Sequence, residues 1–116
     1  MSNLHDKDIA IRFLFLGMAK RIIQLDLKNI QNGPFKIKDP YVHLLEKMRT
    51  LATNKRRKLN KLMWDKRIRI IFIEKDGKYS RYQLIYNGRE EIKSYHHNMI
   101  KKHVQEIFGE LMKECN

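Results

Sequence analysis

The feature that most constrains the fold is a turn flanked by two stretches typical of β-strands. Residues 67–74 (RIRIIFIE) and 78–86 (KYSRYQLIY) are rich in β-branched and aromatic residues. Between them lies Lys75-Asp76-Gly77. Asp-Gly is a turn signal because glycine adopts a positive φ without steric cost. The stretch therefore predicts an antiparallel β-hairpin.

The length of the loop decides which residues of this hairpin face each other. A two-residue loop at Asp76-Gly77 mixes polar and apolar residues on both faces, whereas a three-residue loop ending at a left-handed Gly77 makes one face mostly apolar. We therefore predict the three-residue loop. It pairs Glu74 with Lys78, Phe72 with Ser80, Ile70 with Tyr82, and Ile68 with Leu84. The opposite face then carries Arg67, Arg69, Arg81 and Gln83 beside Ile71, Ile73 and Tyr79.

A cationic cluster comes shortly before the hairpin. Residues 54–61 (NKRRKLNK) contain five cations and no acid. The whole chain has a net charge of +12, and residues 33–66, with ten cations against three acids, carry +7 of it. A field of this sign attracts polyanions, chiefly nucleic acid, and also acidic proteins or membrane surfaces.

The overall composition indicates one globular domain spanning residues 1–116. Hydrophobic residues make up 42% and charged residues 33%, which is typical of a folded protein. The single Cys115 excludes an internal disulfide framework, and the N-terminal segment Ser2–Asp8 lacks the basic region of a signal peptide. These features predict a cytoplasmic protein. The high usage of Lys, Ile and Asn is typical of low-GC coding and suggests a bacterial or phage source.

Two stretches at the ends of the chain have the periodicity of amphipathic helices. The first runs from Asp6 or Asp8 to about Ile30, and its wide apolar stripe predicts a central helix contacted from several sides. The second is predicted to open at Arg89-Glu90-Glu91, after a turn at Asn87-Gly88, and to end at about Lys113. Its zero net charge and long apolar stripe predict a homodimer through this helix, with Phe108 and Leu111 at the contact. The alternative is that the stripes cover each other within one chain.

The segment between Asp39 and Trp64 has two interpretations. Asp39-Pro40 is a helix start, and Leu44, Leu45, Met48 and Leu51 begin an apolar stripe that continues to Met63. One long helix satisfies this pattern. A break near Thr53-Asn54 would instead produce a third helix with the cationic cluster on its surface. We favour the continuous helix because neither glycine nor proline marks a break.

The order of these elements resembles a winged helix. Arg81-Tyr82-Gln83-Leu84 followed by Gly88-Arg89-Glu90-Glu91-Ile92 is similar to the junction between the wing and the C-terminal dimerisation helix of PadR- or MarR-type regulators. The resemblance implies a DNA-binding regulator in which residues 55–64 form the helix that reads the major groove. The expected fold class is thus α+β, mainly α, with two or three N-terminal helices, one two-stranded antiparallel β-hairpin and a long C-terminal helix.

The chain contains no recognisable catalytic or metal-binding motif. No two of His96, His97 and His103 have the spacing of three or four residues by which one helix holds a metal ion. There is no glycine-rich phosphate loop and no nucleophile–histidine arrangement. The sequence therefore predicts a protein that is not an enzyme and that has no catalytic residues, no metal and no cofactor.

Two functional hypotheses follow from the charge. The first is a small nucleic-acid-binding protein of a regulatory kind, with DNA favoured over RNA. The predicted nucleic-acid-binding residues are Lys55, Arg56, Arg57, Lys58, Lys61, Arg67, Arg69 and Arg81. Trp64, Tyr79 and Tyr82 are candidates for stacking on bases, although core positions are predicted for Trp64 and Tyr82. The second hypothesis is an adaptor or inhibitor whose basic face docks on an acidic protein.

Overall fold

The structure is a computed structural model that describes residues 5–116, so the first part of the N-terminal segment used to argue against a signal peptide lies outside it. Within residues 5–116, three helices and three strands follow one another. They are α1 (Asp6–Asn32), α2 (Asp39–Lys66), β1 (Arg69–Asp76), β2 (Tyr79–Tyr86), β3 (Arg89–His96) and α3 (His97–Cys115). Within the described residues no helix is both long and apolar enough to cross a membrane.

Helix α1 occupies the centre of the molecule. It contacts α2, α3, β1 and β2. Its buried positions are Ile9, Ala10, Phe15, Leu16, Ala19, Ile23 and Leu27. They fall on more than one side of the helix because neighbours approach it from several directions. The prediction of a central helix from the width of the apolar stripe is confirmed.

Helix α2 is a single helix of 28 residues that passes through Thr53 and Asn54 without a break. It ends at Lys66. The next residue, Arg67, adopts the left-handed conformation (φ 56°), and the amide of Ile68 donates to the carbonyl of Met63 at 2.8 Å. This 6→1 hydrogen bond closes the helix and turns the chain into β1. The continuous helix is confirmed, and the helix-turn-helix implied by the winged-helix resemblance is wrong.

The sheet has three antiparallel strands in the order β1-β2-β3, so the prediction of a single two-stranded hairpin is wrong. Residues 89–96, predicted as the first turns of the C-terminal helix, form β3 and pair with β2 along its whole length. Asn87 (φ 51°) and Gly88 (φ 70°) form the turn, and two successive positive φ angles produce the type I′ hairpin that Asn-Gly favours. Glu90 and Glu91 favour a helix start, but the turn at Asn87-Gly88 places the following residues in a strand beside β2.

The predicted register of the first hairpin is also wrong. Asp76 pairs with Tyr79 around a two-residue loop, Gly77-Lys78, in which Gly77 has a φ of 61°. The extra residue lies further along the strand as a bulge between Phe72 and Glu74. The observed pairs are therefore Phe72 with Tyr82 and Ile70 with Leu84. The bulge shifts the pairing by one residue, so the hairpin combines a two-residue turn with an apolar face.

One face of the sheet lies against the helices and joins the core. Leu84 is fully buried, and Ile70, Tyr86 and Tyr95 pack against the buried cluster. Tyr95 meets Phe15 of α1 edge-on, with 5.2 Å between the ring centroids. At the rim of this face the Tyr86 hydroxyl donates to Glu91, and Lys7 Nζ lies 3.2 Å from the same carboxylate. The hydrogen bond from Tyr86, followed by that from Lys7, lowers the pKa of Glu91.

Two glycine substitutions are expected to change stability in opposite directions. Gly88→Ala places a side chain at a φ of 70° and should lower the free energy of unfolding by roughly 1–2 kcal/mol. Gly109→Ala, in the exposed interior of α3 with open space around it, should raise it by up to about 1 kcal/mol. Urea denaturation of both variants beside the wild type measures the difference. Equal midpoints for Gly88→Ala and wild type would contradict the assigned turn.

Candidate nucleic-acid interface

The predicted cationic residues lie in three different environments along α2 and the sheet. Lys55, Arg56, Arg57, Lys58 and Lys61 belong to the second half of α2. Arg67 stands at the helix end, Arg69 begins β1 and Arg81 lies in the middle of β2. Because α2 is continuous, its cations point around the helix rather than to one side, and each has to be placed separately.

Two of the predicted residues are paired with acids. Lys55 Nζ lies 2.9 Å from Glu114 Oε2 and so links α2 to α3. Arg81 contacts Glu74 Oε1 at 2.5 Å and Asp76 Oδ2 at 3.0 Å, both across the first hairpin. These acids compensate the charge of Lys55 and Arg81, so both residues attract an external anion less than a free cation does.

Arg56 lies against α1 instead of extending into solvent. Its Cζ is 4.0 Å from the centroid of the Phe13 ring, which is a cation–π distance. A Cβ added to Gly17 would come within 2.9 Å of Arg56 Nε, so the glycine provides the space for the guanidinium. Arg56 Nε is buried, and no hydrogen-bond partner for it is found in the described part of the chain. Arg56 thus fixes the packing of α2 on α1 and keeps its charge at the edge of their contact.

The remaining predicted cations are exposed. Within residues 5–116, no acidic group lies within ion-pair distance of these side chains. These five exposed cations are Arg57, Lys58, Lys61, Arg67 and Arg69. Exposed cations without acidic partners retain their full attraction for phosphate.

Arg57 also belongs to a groove between α1 and α2 that the sequence did not predict. The groove has a volume of about 450 Å³. It is lined by Lys20 and Gln24 of α1 and by Arg49, Thr50, Thr53, Asn54 and Arg57 of α2, and these seven residues are here called the basic groove. None of them is acidic. The basic groove therefore concentrates three cations, Lys20, Arg49 and Arg57, from two helices on one surface.

Helical spacing explains how the basic groove is built. Arg49, Thr53 and Arg57 are each four residues apart, as are Lys20 and Gln24, so each set follows one face of its helix. Arg49 and Arg57 are separated by about 12 Å along the axis of α2. Phosphates of a nucleic acid strand follow one another every 3.4 Å or so along the duplex axis, so more than one phosphate fits this length.

An exposed aromatic residue lies on the same side of α2. Trp64 is 84% exposed, so the predicted core position is wrong, whereas Tyr82 is buried as predicted. Trp64 follows Arg57 by seven residues, which places it on the same helix face about 10 Å further along. A tryptophan with its ring in solvent next to cations can stack on a base.

Two of the three histidines considered as metal ligands, His96 and His103, make contacts that stabilise the fold. His96 ends β3, and its Nδ1 accepts a hydrogen bond from the amide of Asn98 at 3.0 Å, which caps α3. His103 lies 5.0 Å from the Phe15 ring, centroid to centroid. Among the residues that the structure describes, no group of three potential metal ligands is found.

Sequence reasoning missed Lys20 and Arg49 because neither belongs to the cationic cluster of residues 54–61. The only available signal was their helical spacing to polar neighbours, Gln24 and Thr53, which would have suggested a polar stripe without joining the two helices.

Comparison with known proteins gives a family for the chain. A curated relative, "Uncharacterized protein YhjD" of Bacillus subtilis (strain 168), is 30% identical over 109 residues, which are 92% of this chain and 91% of the relative. No solved structure matches the chain significantly. The YhjD protein family matches residues 1–115, which include every element of the fold and the whole basic groove, and the chain belongs to this family.

Proposed function

We propose that this protein binds nucleic acid through its phosphate backbone, with the basic groove as the centre of the contact. The single observation that carries the proposal is the convergence of Lys20, Arg49 and Arg57 on a groove without acids. A net charge of +12 adds long-range attraction for a polyanion.

The exposed cations in the second half of α2 and at its end add positive charge near the basic groove. Lys58 and Lys61 lie on the same helix as Arg57, and Arg67 follows where the helix ends. Trp64 offers a stacking surface among them. Phosphate contacts of this kind fix the position of a nucleic acid without reading its sequence, so we infer binding with little sequence preference.

The winged-helix resemblance implies DNA rather than RNA as the ligand, but α2 is one unbroken helix and does not form the helix-turn-helix that such a ligand preference requires. The basic groove selects phosphate, which both nucleic acids carry, so the proposal concerns nucleic acid in general.

Trp64 provides the experiment, because it is the single tryptophan of the chain and is exposed. Titration with random duplex DNA, single-stranded DNA and RNA should quench its fluorescence. The logarithm of the binding constant should fall with the logarithm of salt concentration with a slope of about −0.9 per duplex phosphate neutralised, hence about −3 or steeper for three or more contacts. A binding constant that does not change between roughly 50 and 200 mM salt, or no binding to any of the three, would refute the proposal.

The adaptor hypothesis is separated by purification of the tagged protein from cell extract with and without nuclease. Partners that disappear after nuclease treatment support nucleic acid binding. An acidic protein that survives nuclease in stoichiometric amount supports the adaptor, because a positive surface also steers protein association.

A further inference from the structure

A second groove, between α1 and α3, has a mostly apolar surface and is open within the described part of the chain. It has a volume of about 700 Å³. Its apolar lining consists of Met18, Ile22 and Leu25 of α1 and Ile100, Val104 and Phe108 of α3. These six residues are here called the apolar groove. Ile22 and Leu25 are 39% and 52% exposed although they belong to the central helix.

The shape of the chain shows that it leaves an unusual amount of surface exposed. The extents are 53 × 38 × 17 Å and the radius of gyration is 15.9 Å. A compact domain of this length has a radius of gyration of about 13.4 Å. The accessible surface is 8421 Å², whereas a monomer of this mass exposes roughly 6,700 Å² on average. The excess is larger than the area of about 800 Å² that each partner buries in a typical stable interface.

A two-fold contact between identical chains uses the same patch on both subunits, so side chains of each copy must fit against the other. The apolar groove offers an open depression between α1 and α3, and two of the side chains that line it, Ile22 and Leu25, are exposed. Two copies related by a two-fold axis can therefore place these side chains in each other's groove.

The charge of this face is compatible with a contact between two copies of the chain. Chains with a net charge of +12 repel each other, and the repulsion is smallest where the least charged surfaces meet. Residues 89–116, which include α3, carry five cations and five acids and so have no net charge. The rim of the apolar groove contains Arg21 and Lys101 but also Asp26, so opposite charges are available across the contact.

We propose that the apolar groove is the interface of a homodimer, with α1 and α3 of one copy packed on α1 and α3 of the other. This places the contact differently from the sequence prediction. Leu111 is buried in the core of its own chain and is not available, whereas Phe108 lines the groove. The basic groove uses the α2 side of α1, so the dimer leaves it open.

Light scattering across a concentration series tests the dimer. The wild type should approach twice the chain mass of 14.1 kDa at high concentration. Leu25→Asp should remain at the chain mass throughout, because it places a charge in the apolar contact. Leu62→Asp is the matched control, since Leu62 is also an exposed helical leucine but lies on α2 outside the groove. It should behave as the wild type.

The dependence of dimerisation on salt concentration is a second test, and its direction is opposite to that of nucleic acid binding. Screening reduces the repulsion between two cationic chains, so dimerisation should strengthen as salt rises, while nucleic acid binding weakens.

A second variant, Ile22→Ser, is milder than Leu25→Asp and is expected to weaken the dimer at least about tenfold. Circular dichroism and thermal melting check that each variant is folded.

A wild-type mass that stays at 14.1 kDa up to about 0.5 mM overturns the proposal without any variant. It is equally overturned by a dimer that survives both Leu25→Asp and Ile22→Ser, or by one that Leu62→Asp dissociates as well. These outcomes concern self-association alone and leave the nucleic-acid proposal to its own titration.

Discussion

Replacing Leu84 with alanine is expected to lower the free energy of unfolding by about 2–5 kcal/mol. Leu84 belongs to β2, the central strand, and its side chain is fully buried between the sheet and the helices. The substitution removes three carbon atoms from a packed interior and leaves a cavity that neighbouring side chains fill only in part. For a domain of this size such a loss is a large share of the total stability.

Ile92→Ala is the matched control for Leu84→Ala. Ile92 belongs to the same sheet, on β3, but is 59% exposed on the face away from the helices. Its replacement should change the free energy of unfolding by no more than about 0.5 kcal/mol. Urea denaturation followed by circular dichroism compares both with the wild type. Similar losses for the two variants would show that the helices do not cover the face on which Leu84 lies.

Replacing Lys20, Arg49 and Arg57 together with alanine is expected to reduce nucleic acid affinity on the order of 10²-fold at about 0.1 M salt. The magnitude follows from counterion release, because each lost duplex phosphate contact removes about 0.9 from the slope of log K against log salt. The slope of the triple variant should therefore be shallower than that of the wild type by nearly 3 if each cation contacts one phosphate.

The matched control is a second triple variant with the same loss of charge. Lys28, Lys75 and Lys102 are exposed residues dispersed over α1, β1 and α3, and none of them lines the basic groove. Their replacement with alanine also lowers the net charge by three, so a difference between the variants reports position and not total charge. Equal losses of affinity would mean that the charge of the whole molecule, and not the basic groove, holds the nucleic acid.

The sequence was informative where neighbouring residues determine structure. The periodicity of α1, the start of α2 at Asp39 and the strands of the first hairpin are local patterns, and each was predicted correctly. Two local signals conflicted at residues 87–91. Asn87-Gly88 favours a hairpin and Glu90-Glu91 favours a helix start, and the prediction of a helix was wrong because β2 offers β3 a partner along its whole length.

The hairpin register shows a different kind of limit. The sequence required one extra residue to keep the apolar side chains on one face, and the prediction placed it in the loop. The structure places it at the bulge between Phe72 and Glu74 and keeps a two-residue turn. Both arrangements satisfy the alternation, and only pairing along the whole strand separates them.

The sequence by itself determined the net charge of +12, the concentration of cations in residues 33–66 and the amphipathic helices. The tertiary structure decided which cations share a surface. Lys20 and Arg49 are 29 positions apart and meet only because α1 and α2 pack side by side, while Arg81 is offset by Glu74 and Asp76 across the hairpin. Helix and strand periodicity is a property of neighbouring residues, whereas a site assembled from two elements depends on long-range packing, which no local pattern specifies.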